Sequence, residues 1–172
     1  NTSGVTNSAG PQAAPPKKYT NKLQVPFGLT AYFDLEEGMA AAKILKKPIM
    51  LDFTGHTCPN CRKMEEQVWK DPAVLSRIKE NFVLVSLYVD ETEELPASEQ
   101  YTDKNGVKIE TVGGKNLDYE IKTFGFNAQP LYMFLDLNGK PLSDVKYGYD
   151  PSVAGFIKHL DAVKAAFDAA NK

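Results

Sequence analysis

The chain has 172 residues, 42% of them hydrophobic, 10% aromatic and 24% charged. That fits one domain able to bury a core and excludes a disordered or fibrous chain. Lys and Arg total 20 against 22 for Asp and Glu, a net charge of -2, so the basic footprint that nucleic acid or an anionic lipid surface requires is missing and no nucleic-acid partner is expected.

Residues 1–26 carry no periodic apolar pattern and include Pro15-Pro16-Lys17-Lys18, which reads as a flexible tether leading into a domain over 27–172. The chain opens on Asn1 rather than Met, as a processed protein or a piece of a larger one does. Asp34 followed by Glu37 forms an acidic capping box, and the apolar spacing after it predicts a helix to about Lys46. Pro48 to Phe53 is a short, almost continuous apolar run, the pattern of a strand buried on both faces, with Asp52 the anomaly inside it. A helix is predicted from Cys58 to about Lys70, and Asp71-Pro72 starts another that ends near Asn81.

Phe82 to Val89 reads as a second buried strand and Leu131 to Leu137 as a third. The longest apolar run, Phe82 to Val89, is interrupted by Ser86 and falls far short of the roughly 20 residues of a membrane helix. Asn138-Gly139 predicts a hairpin into a fourth strand at Val145-Lys146-Tyr147. Asp150-Pro151 opens a last helix whose Val153, Phe156, Ile157, Leu160, Val163 and Phe167 share one face, leaving His159 on the polar side. Strands joined by helical crossovers are parallel, so the order of elements gives an α/β fold with a mixed central sheet flanked by helices.

Cys58 and Cys61 are the two cysteines of the chain. A bridge over so short a loop contributes about 2 kcal/mol or less to stability, so chemistry is a better reason for the pair than stapling. Following a buried strand and opening a helix, a C-x-x-C reads as redox-active rather than zinc-binding. At a helix N-terminus the backbone N-H groups and the macrodipole favour a Cys58 thiolate, with Pro59 in the first helical position and Asn60 and Cys61 offering amides. An effect of up to about 2 kcal/mol would bring a free thiol from about 8.5 to about 7. Cys61, one turn inward, is expected to be buried and to act as the resolving thiol. Asp52, an acid inside a buried strand, should have a raised pKa and could exchange a proton with Cys61 through water. His56 is either an ordinary exposed loop histidine or a modulator of Cys58. With Cys58, Cys61, His56 and His159 the only ligands of that type, no intramolecular metal site is expected. Two rival readings use the same residues: a binding module whose groove does the work, and metal delivery by the cysteine pair across a homodimer.

From about Leu29 to Ala170 the chain resembles the thioredoxin superfamily. The resemblance rests on Leu51-Asp52-Phe53 placed six residues before Cys58-Pro59-Asn60-Cys61, and on Gln129-Pro130 directly before a strand. It implies a thioredoxin-like fold, a cis Pro130 packed against the cysteines, and substrate chains that add along the backbone of Ala128 and Gln129. More closely, Gly55 to Glu65 and Val68 to Pro72 are similar to the C-terminal periplasmic domains of the transmembrane thiol:disulfide interchange proteins, the DsbD family. That resemblance implies a monomeric reductant whose redox centre is the Cys58–Cys61 disulfide itself, with no other cofactor. It also implies protein thiol and disulfide partners, a membrane-embedded electron donor in the same parent protein, and a periplasmic, membrane-tethered location. A stand-alone secreted oxidase or isomerase is the alternative.

Three departures stand out. Thr57 replaces the aromatic residue that often precedes the first cysteine, and Ser86 stands where a lysine often faces the buried acid. Residues 91–116 form an insertion, with a hairpin suggested by Asn105-Gly106 between Tyr101 and Ile109. It should emerge on the side of the sheet where Cys58 sits, with Glu91, Glu93 and Glu94 making its base acidic.

Overall fold

The computed structural model describes residues 10–172. A four-stranded sheet in the order β1-β3-β2-β6 is built from β1 (Ala31–Tyr32), β2 (Ile49–Thr54), β3 (Val83–Tyr88) and β6 (Leu131–Leu135), and the insertion adds the small hairpin β4 (Tyr101–Thr102) and β5 (Lys108–Ile109). The helices are α1 (Leu35–Leu45), α2 (Pro59–Met64), α3 (Pro72–Asn81), α4 (Val112–Phe124) and α5 (Val153–Ala170). β3 runs parallel to β1 and β2, whereas β6 pairs with β2 in the antiparallel sense.

Alternation along β2 divides the core into two layers. Met50 packs with Trp69, Ile78, Phe134, Phe156 and Leu160 under α3 and α5. Ile49, Leu51 and Phe53 face Ala41, Ala42, Phe124 and Met133 under α1 and α4. All six residues of β2 are buried, as its unbroken apolar sequence requires.

Local signals set the helix ends. The Asp34 carboxylate accepts the Glu37 N–H at 3.0 Å, and α1 closes at Lys46 in the left-handed conformation, φ 54°. Asp71 accepts the Ala73 N–H at 2.9 Å ahead of Pro72, satisfying an orphan donor of α3. The predicted helix from Cys58 to Lys70 is two pieces: α2 runs into a π-helical turn over Glu65–Trp69 that buries Val68 and Trp69.

Four features differ from the sequence reading. The fourth strand predicted at Val145 to Tyr147 is reduced to isolated bridges, Tyr132 to Tyr147 and Leu135 to Pro141. Asp136 and Lys140, and Leu142 and Phe134, keep the pairing on both sides of Pro141 at 2.8 Å, but residues 143–146 then loop away, the Val145 amide turning to the Ser143 hydroxyl at 3.1 Å, before Tyr147 rejoins Tyr132. The last helix begins two residues later than Asp150-Pro151 suggests, with the Ser152 hydroxyl accepting the Gly155 N–H at 3.0 Å. His159 turns inward rather than to solvent, stacking on Tyr147 at 4.8 Å between ring centroids and meeting the edge of Phe134.

The fourth difference is the segment read as part of a tether. Residues 1–9 lie outside the described residues, but residues 13–26 pack along the domain. Tyr32 donates its hydroxyl to the Ala14 carbonyl at 2.6 Å. Glu37, which in a full capping box would turn back to Asp34, instead accepts the Lys17 and Lys18 amides at 3.2 and 2.9 Å. Leu23 is 3% exposed and belongs to the main core, and the Tyr88 hydroxyl holds the Gln24 carbonyl at 2.9 Å.

The insertion is a small folded unit. Leu95 and Glu110, and Val112 and Glu93, are joined by backbone hydrogen bonds of 2.8 and 2.9 Å, and Leu95, Ile109 and Val112 form its own small core. α4 then docks on the end of β3, where a Cβ on Gly113 would stand 2.6 Å from the Glu91 nitrogen. Only glycine permits that approach.

Because Leu23 is a core residue, Leu23→Ala is expected to cost about 2–3 kcal/mol in urea unfolding. A flexible tether would show no change.

Candidate active site

β2 releases the chain at Thr54 into the loop Gly55 to Thr57, and this loop is fixed by one carboxylate. Asp90, just past β3, accepts the His56 and Thr57 amides at 2.8 and 3.1 Å and the Thr57 hydroxyl at 3.3 Å. Burial opposes its charge, but these hydrogen bonds hold the Asp90 carboxyl below the usual range. Cys58 follows as the N-cap of α2, and its sulfur accepts the Cys61 N–H at 3.2 Å.

Cys58 and Cys61 are joined in a disulfide with Cα atoms 5.3 Å apart. Cys58 is partly exposed, while Cys61 is buried at 1% exposure. Pro59 sits in the first turn, and it and Asn60 are exposed on the rim.

Asp52 lies on β2 paired in register with Ser86 of β3. Ser86 donates its hydroxyl to Asp52 at 3.0 Å, so the residue standing in place of a lysine supplies a neutral hydrogen bond and no countercharge. Burial, reinforced by the nearby Glu65, pushes Asp52 up to about 7 against the opposing pull of Ser86 and Arg62. Glu65 and Arg62 form an ion pair at 2.9 Å, and Arg62 also donates to the Thr54 hydroxyl at 2.8 Å. Burial raises Glu65 as well, with Arg62 opposing.

The Gln129–Pro130 peptide is cis and Pro130 is buried. Since Phe53 pairs with Leu131, Pro130 stands level with Thr54, beside the loop that leads to Cys58. Ala128 is exposed and Gln129 half-buried. His56 is held, with Nε2 2.8 Å from the Glu91 carboxylate and its ring over Tyr88 at 4.7 Å. His56, Arg62, Glu65 and Tyr88 line a cleft closed on its other side by Lys22 to Pro26.

The structure thus brings Cys58, Cys61, Pro59, Asn60, His56, Asp52, Gln129 and Pro130 to one edge of the sheet, whereas His159 lies elsewhere on α5. Among the described residues no three His, Cys, Asp or Glu side chains stand together as a metal site. The sequence reading passed over Arg62, Glu65 and Asp90. Arg62 and Glu65 had a local signal, their i, i+3 spacing just after Cys61, but Asp90 reaches the site only through folding.

Fold and site together define a thioredoxin-like domain carrying a C-x-x-C disulfide. Residues 35–164 match the thioredoxin-like domain family, and the chain belongs to it. Among solved structures, a thioredoxin from Thermus thermophilus superposes with a TM-score of 0.59 at 22% identity, covering 85% of this chain and 95% of that one. A DsbH oxidoreductase gives 0.54 at 20% identity, covering 86% and 92%. The thiol:disulfide interchange protein DsbD of Vibrio vulnificus (strain CMCP6) is 29% identical over 130 residues, which make up 76% of this chain but 18% of that protein. The chain therefore spans less than a fifth of the curated relative it matches.

In the folded chain Asp52 keeps its proton up to about pH 7, whereas the unfolded chain releases it near 3.8. The associated stability is fully present below pH 3.8 and is lost as pH rises through 7. Asp52→Asn removes this penalty. In urea unfolding of the oxidised protein the variant is expected to gain up to about 4 kcal/mol on wild type at pH 8 relative to its value near pH 4. A pH-independent difference would contradict the assignment of a buried acid.

Proposed function

We propose that the protein is a thiol:disulfide oxidoreductase working as a reductant. The observation that carries the reading is a partly exposed Cys58 bonded to a buried Cys61, beside a loop that offers free backbone to a partner. In the dithiol form the Cys58 thiolate attacks a partner disulfide. The partner's S–S bond breaks, its first sulfur leaves as a thiolate that takes a proton from water, and Cys58 is left in a mixed disulfide. Cys61 then gives its proton through water to ionised Asp52 and attacks the Cys58 sulfur. The mixed disulfide breaks, the partner's second sulfur leaves as a thiolate and is protonated, and the Cys58–Cys61 disulfide forms. Two electrons have passed to the partner, and a donor dithiol restores the pair by the reverse steps.

Electrostatics supports the reducing direction. Asp90 borders the loop before Cys58 and Asp52 lies inward of it with a serine hydroxyl in place of a cation, whereas Glu65 is paired with Arg62 and Glu91 is bonded to His56. Negative charge disfavours a thiolate and so favours the disulfide over the dithiol, which makes the dithiol an electron donor. These carboxylates oppose the helix-end effect that the sequence suggests. Resemblance to DsbD supports protein partners in the periplasm, a membrane-embedded donor in the same parent chain, and a site that works as a monomer with Cys58–Cys61 as its redox centre. Pro130 would shape the partner groove, with Ala128, Gln129, Pro59, Asn60 and His56 along it.

Cys58→Ser is expected to bring reduction of a protein disulfide to background. Cys61→Ser should accumulate mixed disulfides through Cys58, seen by mass spectrometry without reductant. Full activity in the first variant, or no trapped adduct in the second, would contradict the assigned roles.

A further inference from the structure

Glu120 is the most deeply buried carboxyl of the described residues outside the cysteine cluster. It lies on α4 with no measurable exposure. Its Oε1 accepts the Gln129 side-chain amide at 2.8 Å, and its Oε2 is buried without any partner. The Ala128 backbone amide also faces this carboxyl. Among the described residues no cation compensates it, and burial pushes it up to about 7 against the opposing pull of Gln129 and Ala128. A carboxyl placed this way costs folding free energy. What it touches is the segment directly before Pro130.

That segment is otherwise weakly held. Gly125 ends α4 in the left-handed conformation, φ 65°, and Phe126, Asn127 and Ala128 are exposed. Among the described residues, neither Ala128 nor Gln129 makes a backbone–backbone hydrogen bond. A strand edge left open for an incoming chain must keep its shape without ladder partners of its own. Here the inward bonds to Glu120 tie down the Gln129 side chain and the Ala128 N–H and leave the Ala128 carbonyl and the Gln129 backbone for the partner.

We propose that Glu120 is a positioning residue: its buried carboxyl holds Ala128 and Gln129 in the conformation that presents their backbone to a partner chain beside Cys58. The proposal deepens the oxidoreductase reading and rests on it for the identity of the partner as an extended, disulfide-bearing polypeptide. Glu120 touches neither the cysteines nor the partner. Its effect is therefore confined to recognition of a chain long enough to lie along residues 128–129.

Two readouts test this on wild type, Glu120→Ala and Glu120→Gln. Amide hydrogen exchange at Ala128, whose N–H faces the carboxyl, should accelerate about tenfold in Glu120→Ala, the loss expected from one hydrogen bond. Most of the protection should return in Glu120→Gln, whose side-chain carbonyl still accepts from Gln129. In turnover, Glu120→Ala should raise KM for an unfolded disulfide-bonded protein about tenfold with little change in kcat, and Glu120→Gln should restore it. Oxidised glutathione, too short to use the segment, should be reduced at the wild-type rate by both variants. Unchanged exchange at Ala128, acceleration spread evenly over the domain, or equal losses with glutathione and protein would overturn the proposal. If wild type reduced neither substrate while the local exchange effect held, the oxidoreductase reading would fall and the positioning of the segment would stand. The two failures are thus distinguishable.

Discussion

Strand β2 has no exposed residue and is paired along both edges, in parallel with β3 and antiparallel with β6. A slip of one residue in either register would turn Asp52 into an apolar layer and one layer's side chains into the other, so the register is strongly specified. Every part of the candidate site follows from it. The C-terminal ends of β2 and β3 lie at the same edge, which delivers Cys58 from one and Asp90 from the other. The antiparallel β6 begins at that edge, which brings Pro130 and the residues before it alongside. The 91–116 insertion leaves from β3 at the same place and returns through Gly113, packed against the backbone of Glu91.

Acidic groups without full compensation recur around this edge. Asp52 has a serine hydroxyl where a cation would neutralise it, Glu65 shares one arginine, and Glu120 has an amide and a backbone N–H. Each costs folding free energy that an apolar residue would not. On the proposed function the cost would serve different ends: Asp52 would handle a proton, the uncompensated charge would bias the cysteines toward the disulfide, and Glu120 would shape the approach of a partner. Asp90 acts by structure, gathering two backbone amides and a hydroxyl in the loop before Cys58.

Much of this was legible before folding because its causes are local. Asp34 and Asp71 announce helix starts by hydrogen bonds within a few residues, β2 by an unbroken apolar run, and Cys58 to Cys61 by spacing and by the strand before them. The hairpin at Asn105-Gly106 is equally local, with Asp103 accepting the Asn105 and Val107 amides. What escaped depends on distant neighbours. Leu23, Val25 and Phe27 alternate in a segment with no cap or turn to mark it, and their packing against the core that holds Ala31 and Leu84 emerges only on folding. Glu120 reads as one more charge on an amphipathic helix until Gln129 meets it. The strand predicted at Val145 to Tyr147 failed because residues 143–146 loop away from β6 between Leu142 and Tyr147, and His159 turned inward because Tyr147 and Phe134 offered an aromatic slot.

The central claim is that Cys58 and Cys61 form a reversible couple poised to give electrons. Equilibrating the purified protein against a series of glutathione redox buffers and counting free thiols on the two cysteines tests it most directly. The account predicts a single two-electron transition near or below about -220 mV. A pair that does not exchange with the buffer, or a transition near about -120 mV as in a strong oxidant, would contradict it.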